Sequence, residues 1–261
     1  MLIVLYLGLG AVAGLLAGMF GVGGGLIIVP ALLSVFAYSG FNPAILMQMA
    51  IATSLSTIIF TSLASSYAHY RHGAIIWRDI SRLTPGIILG AAIGAFIADE
   101  LASDWLQNVF AIFLTLVAIQ ILLSATPPRN ATQPKTSLLM TGGLVTGFLS
   151  SLLGIGGGTI TVPLLLWCGR TITQAVASAA ACGFPIAFSS ALFYLITGLD
   201  ESVLPAHSWG YIYWPAMLYI AVTSVMFAPL GARWAHKLPV QQLKKIFGIL
   251  LLLIAARMLL Y

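Results

Sequence analysis

The chain has 261 residues, of which 60% are hydrophobic and only 7% are Asp, Glu, Lys or Arg, and its formal net charge is +5. Ordinary globular domains carry about 25% charged residues, so this composition argues against a water-soluble globular protein. The charges lie between apolar runs and form no basic face with interleaved aromatic residues, which argues against a nucleic-acid-binding protein.

Apolar segments follow one another along the chain, and they are long enough to cross a hydrocarbon core about 30 Å thick, which takes about 20 helical residues. The first segment, 2–38, is interrupted by a glycine cluster and a proline, and it continues without the polar region that follows a signal peptide. A second interrupted segment occupies 137–167. Uninterrupted crossings are predicted at 45–68, 83–98, 105–124, 171–199, 209–230 and 246–260.

The two interrupted segments are copies of one pattern. Residues 13–30 read AGLLAGMFGVGGGLIIVP, and residues 146–163 read TGFLSSLLGIGGGTITVP. Further along, Ala50, Ala52 and Thr53 correspond to Ala175, Ala177 and Ser178. The sequence therefore predicts a first transmembrane repeat at 1–124, a cytoplasmic linker at 125–136 and a second transmembrane repeat at 137–261.

The charged loops predict how the repeats are oriented, because short cytoplasmic loops are enriched in Lys and Arg. The loop 69–82 is basic and is predicted to be cytoplasmic, whereas the loop 99–104 is acidic and is predicted to be external. The signs swap in the second half: the matching loops carry Asp200 and Glu201, then Arg233, Lys237, Lys244 and Lys245. We therefore predict an all-α integral membrane protein with two inverted-topology repeats, each a re-entrant or broken-helix hairpin plus three transmembrane helices. Arg257 is expected to reach the external interface or to face a cavity.

Triple glycines inside apolar segments predict an anion site. Backbone that leaves the helix within a membrane must border protein or a wet cavity. Glycines also leave successive amide N–H groups uncovered, and the helix that follows points its positive end at them. The predicted main-chain contacts to a small anion are Gly23, Gly24, Gly25, Gly156, Gly157 and Gly158. Close helix packing is the alternative reading of these glycines, and it is the one favoured for Gly14 and Gly18, which form a GxxxG pattern.

Hydroxyl side chains near the glycine clusters suit the oxygens of an anion. Ser54, Thr57, Thr61, Ser65 and His69 share one helix face, and for this stripe as a whole we predict a structural role. Thr53, Ser54 and Ser178 lie nearest the glycines and are predicted to contact the substrate. His69 is predicted to be an interfacial residue at the cytoplasmic border.

Several activities are disfavoured by what the sequence lacks. No Asp, Glu or Lys lies in the middle of a predicted crossing, which disfavours carboxylate-based cation or proton coupling. Paired carboxylates, HExxH, GxSxG and Walker A patterns are all missing, and Cys168 and Cys182 have no metal-ligand company, so neither an enzyme nor a cofactor nor a metal is predicted. The prediction is a secondary carrier of a small anion in the lipid bilayer. The alternatives are a passive anion channel with an amide-lined constriction and a membrane scaffold that binds another protein.

The sequence resembles the sulfite exporter TauE/SafE family, also described as the toluenesulfonate uptake permeases. The likeness covers essentially the full chain and is carried by GVGGGLIIVP at 21–30, AIATS at 50–54, GIGGGTITVP at 154–163, GFPIA at 183–187 and PLGARWAHKLP at 229–239. It implies transport of sulfite, sulfoacetate or other sulfonates across a plasma membrane, in a bacterium the inner membrane. The family tends to carry a Thr-Ser pair in the second repeat, where this chain has Ser178 and Ala179. The direction of transport, the coupling ion and the oligomeric state are left open.

Overall fold

A computed structural model describes residues 2–21, 23–123, 134–235 and 240–260, without the side chains of 235 and 240–246. Most of the predicted linker 125–136 and the loop residue Lys237 lie outside the described residues, as do the side chains of Lys244 and Lys245. The described residues form ten α-helices: α1 (Leu2–Phe20), α2 (Gly25–Tyr38), α3 (Leu46–Tyr70), α4 (Trp77–Glu100), α5 (Ser103–Leu122), α6 (Thr136–Leu153), α7 (Gly158–Trp167), α8 (Ile172–Thr197), α9 (Trp214–Ala235) and α10 (Val240–Leu260). One short antiparallel hairpin, β1 (Ser208–Trp209) with β2 (Ile212–Tyr213), precedes α9.

The helices have the lengths and surfaces of a multi-pass membrane protein. Among the described residues, α1, α3, α4, α5, α6, α8 and α9 are long and apolar enough to cross a membrane, while α2, α7 and the 247–260 part of α10 are shorter apolar helices. Large apolar side chains such as Val4, Phe96 and Leu116 are exposed on the outer surface, as lipid contact requires. The predicted all-helical membrane class is confirmed.

Several predicted boundaries differ from the observed ones. Helix α4 begins at Trp77 rather than at residue 83 and therefore includes Arg78, Asp79 and Arg82. Charged residues end an apolar run, but they do not end a helix. Helix α9 begins at Trp214 rather than at residue 209, because the residues before it form the β1–β2 hairpin.

Helices of one half pack mainly on helices of the other half. Helix α1 lies along α9, and α4 lies along α6. A Cβ atom on Gly14 would come within 2.5 Å of the Ser224 carbonyl oxygen, and one on Gly94 would also meet a carbonyl oxygen, that of Phe148. Both pairs run parallel, because contacts advance along the two helices in the same direction. The predicted packing role of Gly14 is confirmed.

Helices α3 and α8 cross at the centre of the molecule and run antiparallel. Gly183 of α8 approaches Ser62 near the middle of α3. Ile76, just beyond α3, contacts Ser178 near the start of α8, and Tyr213, beyond α8, contacts Thr53 near the start of α3. Helix α5 packs on α10. In the repeat, α1, α3, α4 and α5 of the first half correspond to α6, α8, α9 and α10 of the second half. Exchanging the two halves therefore turns the α1–α9 pair into the α6–α4 pair and leaves the α3–α8 and α5–α10 pairs as they are.

Candidate functional site

Two helix breaks lie inside the apolar core. Helix α1 ends at Phe20 and α2 begins at Gly25, and in the same way α6 ends at Leu153 and α7 begins at Gly158. The residues before the second helix of each pair, Gly24 and Gly157, adopt left-handed conformations with φ of 83° and 73°. An L side chain is disfavoured there, which explains why both positions are glycine.

Each break turns the chain back on itself. A Cβ atom at Gly24 would lie 3.0 Å from the Cβ of Ala13, which is in the middle of α1. A Cβ atom at Gly157 would lie 3.1 Å from the Thr146 methyl group, in the middle of α6. Helices α2 and α7 therefore start at the depth of the middle of their preceding helices.

The two breaks meet each other. A Cβ atom at Gly23 would lie 2.8 Å from the Cα of Gly156, and Gly25 packs directly on the carbonyl group of Gly154. A cavity of about 10 Å³ adjoins this contact and is bordered by Gly21, Gly23 and Gly156 together with the hydroxyl-bearing residues of α3, Thr61, Ser62 and Ser65. Such a volume accommodates about one water molecule. The structure thus brings the predicted glycine clusters of both halves together.

Both helices that leave the breaks present uncapped N-termini to this region. Ile28 and Thr161 donate their N–H groups to the carbonyl oxygens of Gly24 and Gly157, which closes the first turn of each helix. Ile27 and Ile160 donate to the same two carbonyl oxygens. The N–H groups of residues 25–26 and 158–159 have no acceptor within their own helix, and a glycine N-cap offers no side-chain oxygen. Neither first turn contains an acidic residue. Two positive helix ends therefore converge without a carboxylate from either first turn.

The predicted hydroxyl contacts make hydrogen bonds between the halves. Thr53 Oγ1 accepts from the Tyr213 amide at 3.0 Å, and Ser178 Oγ accepts from the Ile76 amide at 3.1 Å. These two bonds occupy corresponding places in the two repeats, and each leaves the hydroxyl hydrogen available to a further acceptor. Ser54 Oγ donates to the Gly154 carbonyl at 2.8 Å and so touches the second break directly.

The hydroxyl stripe of α3 is buried and mostly bonded within the protein. Thr57 donates to the Ser54 carbonyl, and Thr61 contacts both the Thr57 carbonyl and the Ser224 hydroxyl, the latter at 2.6 Å. His69 is only 1% exposed, and its Nε2 lies 3.3 Å from the Gly18 carbonyl. His69 is thus buried against α1, and its predicted place at the cytoplasmic border stays a prediction.

Two hydroxyl residues beside the second break were not singled out from the sequence. Thr146 and Ser150 of α6 are fully buried next to Gly157, and neither hydroxyl has a hydrogen-bond partner among the described residues. The repeat alignment contained the signal, because it places Thr146 and Ser150 opposite Ala13 and Ala17.

Charged residues occupy the ends of the helices. The buried Asp79 carboxylate accepts two hydrogen bonds from the Arg170 guanidinium, at 2.6 and 3.0 Å, which joins α4 to the loop before α8.

Tyr211 lies in the loop before α9, and its pKa is raised. Burial is the largest cause, and the hydrogen bond to the Asp99 carboxylate and the charge of that group add to it, so this phenol stays neutral. Arg257 lines a second cavity, of about 550 Å³, together with Asp104 and Gln107. It thus faces a cavity, one of its two predicted settings.

Comparison with known proteins gives a consistent picture. A profile of the family described as "Sulfite exporter TauE/SafE" matches residues 6–258. A probable membrane transporter protein of Haemophilus influenzae is 38% identical over 257 residues, which cover 98% of this chain and 97% of that protein. A probable membrane transporter protein of Methanocaldococcus jannaschii is 28% identical, covering 90% and 87% of the two chains, and one of Bacillus subtilis is 27% identical, covering 96% and 94%.

Proposed function

This chain belongs to the sulfite exporter TauE/SafE family of membrane transporters, and from that premise we propose that it carries a small anion, sulfite or an organosulfonate, across the plasma membrane by alternating access. Membrane transport is common to the relatives, none of which is named as an enzyme. The anionic substrate, its sulfur chemistry and the carrier mechanism are our proposal.

The observation that supports this proposal is the meeting of two uncapped helix N-termini in the core. A buried anion loses its hydration shell, and main-chain N–H groups at a helix start replace part of that shell. The close approach of Gly23 to Gly156 puts donors of both halves within reach of one small ligand. We assign the main-chain contacts to Gly23–Gly25 and to residues 156–158. The predicted contact from Ser54 would require its hydroxyl to give up the hydrogen bond to the Gly154 carbonyl. Contacts from the hydroxyl hydrogens of Thr53 and Ser178 stay a prediction.

Alternating access fits a pair of inverted repeats. Helices α3 and α8 occupy equivalent positions in the two repeats and run antiparallel. Each glycine break packs against this central pair, Gly23 beside α3 and Gly157 beside α8. In transporters built in this way, one arrangement of the halves opens the site to one side, and the exchanged arrangement opens it to the other. The antiparallel central pair is the support for this architecture.

Counterflow in proteoliposomes tests the proposal. Liposomes loaded with an unlabelled sulfonate should take up the same labelled sulfonate transiently and saturably, and the purified chain should melt at a higher temperature when that sulfonate is present. Gly24→Val and Gly157→Val place a side chain on the breaks and should abolish both signals. Gly8→Val is the matched control, because a Cβ atom at Gly8 meets nothing within 4 Å. Conductance without exchange would identify a channel instead.

A further inference from the structure

We infer that the anionic head of the substrate binds in a hydroxyl-lined subsite that only the second half supplies, around Gly157 at the start of α7. This inference rests on the proposed function and makes it more specific. The two repeats share one backbone plan, but their side chains give the two helix starts different chemistry. The subsite is made of Thr146 and Ser150 of α6, with Thr159 of α7 beside them.

Side chains of α6 and of Ile186 in α8 surround Gly157, the glycine that precedes α7. From the Cβ position of Gly157, the Ser150 hydroxyl oxygen is 3.2 Å away and the Thr146 methyl carbon is 3.1 Å away. These two residues are four positions apart in a helix, so they lie on one face. Both are fully buried, and neither hydroxyl has a partner in the described part of the chain. The hydroxyls of Thr159 and Thr161, in the first turn of α7, are likewise buried without a partner there.

The equivalent region of the first half has only apolar side chains. Gly24 faces Ala13 at the position equivalent to Thr146, and Ala17 replaces Ser150. In α2, Leu26 and Ile28 stand where α7 has Thr159 and Thr161. The first half can thus contribute main-chain N–H groups and space, but it has no side-chain donors at these positions.

Many other buried hydroxyls are hydrogen-bonded, although Ser65, Ser151 and Ser190, on three different helices, have no partner among the described residues. Ser56, Thr57 and Ser189 each donate to a carbonyl oxygen of their own helix, as buried Ser and Thr in helices commonly do. Buried polar groups are as a rule hydrogen-bonded, and leaving several unpaired in one place is destabilising. The cluster around Gly157 therefore places several unpaired hydroxyls at one helix start, where they can bind a polar ligand.

The ligand that fits is an oxyanion rather than a cation. The N-terminus of α7 carries partial positive charge, and its first N–H groups are donors, so a metal ion is disfavoured there. Two hydroxyls of α6 and the N–H groups of the helix start can each donate to a different oxygen of one head group. A sulfonate presents three equivalent oxygens to these donors, whereas a carboxylate presents two. The subsite therefore favours a sulfonate over a carboxylate with the same organic part.

Two substitutions that remove only the hydroxyls test the subsite. Ser150→Ala and Thr146→Val should each raise the KM of a labelled alkylsulfonate in counterflow at least tenfold. The melting temperature without substrate should be unchanged or higher, because no protein hydrogen bond among the described residues is lost. Thr146→Ser keeps a hydroxyl and should keep the KM within threefold of the original. Ser56→Ala is the control for a buried hydroxyl away from Gly157 and should leave the KM unchanged.

The outcomes separate the subsite from the proposed function. If the unchanged protein exchanges the sulfonate and the Ser150→Ala/Thr146→Val double variant does so with a KM within twofold, the subsite is wrong and the proposed function stands. If the unchanged protein neither exchanges nor is stabilised by any sulfonate or sulfite, the proposed function is wrong, and the subsite is wrong with it.

Discussion

Ser54 connects the first half to the glycine break of the second half through a single hydrogen bond to the Gly154 carbonyl. Replacing it with alanine leaves that buried carbonyl without its donor, which costs about 1–3 kcal/mol. We therefore expect Ser54→Ala to lower the free energy of unfolding by that amount in detergent. Ser56→Ala, which breaks only a bond to the Ala52 carbonyl one turn earlier, should cost less. Equal losses in the two variants would show that Ser54 does not hold the break.

Gly23 combines a left-handed conformation with a close approach to Gly156, and the two requirements can be separated experimentally. Gly40 has nearly the same φ, 74° against 76°, but a Cβ atom there would meet nothing within 4 Å. Gly40→Ala should therefore cost only the conformational penalty, about 1–2 kcal/mol. Gly23→Ala adds a clash with backbone at 2.8 Å, so we expect a larger loss of stability together with loss of sulfonate counterflow. Thermal melting and counterflow of both variants measure the difference.

At the level of residues, sequence patterns predict main-chain features better than side-chain partners. The triple glycines pointed to broken helices in the membrane, and the structure has breaks at both. The partners of Thr53 and Ser178 could not be predicted, because each is an amide of the other half just before a helix start, at Tyr213 and Ile76. Pairing of this kind depends on how the halves pack, which a single sequence does not encode locally.

At the level of elements, glycines determine how closely the helices of the two halves pack. Gly86, Gly90 and Gly94 of α4 follow one another along α6, and at each a Cβ atom would meet a backbone carbonyl oxygen. The sequence predicts glycine-mediated packing for α1, but not that the partner is α9 of the other half. Any apolar helix could serve as a partner by composition, so only the three-dimensional structure identifies it.

Gly90→Leu should separate α4 from α6. The added side chain points at the Leu144 carbonyl, where neither helix can move without breaking neighbouring contacts, and overpacking of this kind costs about 1–3 kcal/mol or more. Gly8→Leu adds the same side chain to α1 at a position with open space and should be nearly neutral. Melting temperatures in detergent give the comparison, and similar losses for both variants would contradict close packing at Gly90.

At the level of the whole molecule, the Asp79–Arg170 ion pair links the halves at one end of the central helices. Asp79 is buried, while the Arg170 side chain is 24% exposed. Removing one partner of a fully buried pair costs about 3–5 kcal/mol, and solvent at Arg170 reduces this to an expected 1–3 kcal/mol for Asp79→Asn. A double-mutant cycle with Arg170→Gln should show coupling. Asp104→Asn at an exposed site is the control, and additive effects of the first two substitutions would contradict the pair.

The proposed inverted-repeat architecture, which the antiparallel α3 and α8 support, predicts which side of the membrane each hairpin end reaches. Ser39 follows the first hairpin and Thr171 follows the second, and both are exposed. In a protein with Cys168→Ser and Cys182→Ala, we expect Ser39→Cys to react with a membrane-impermeant maleimide added outside intact cells. Thr171→Cys should react only after the membrane is opened, because its neighbour Arg170 is paired with Asp79 in the segment predicted to be cytoplasmic. Labelling of both cysteines from the same side would contradict inverted repeats, because it would place equivalent ends of the two hairpins on one side of the membrane.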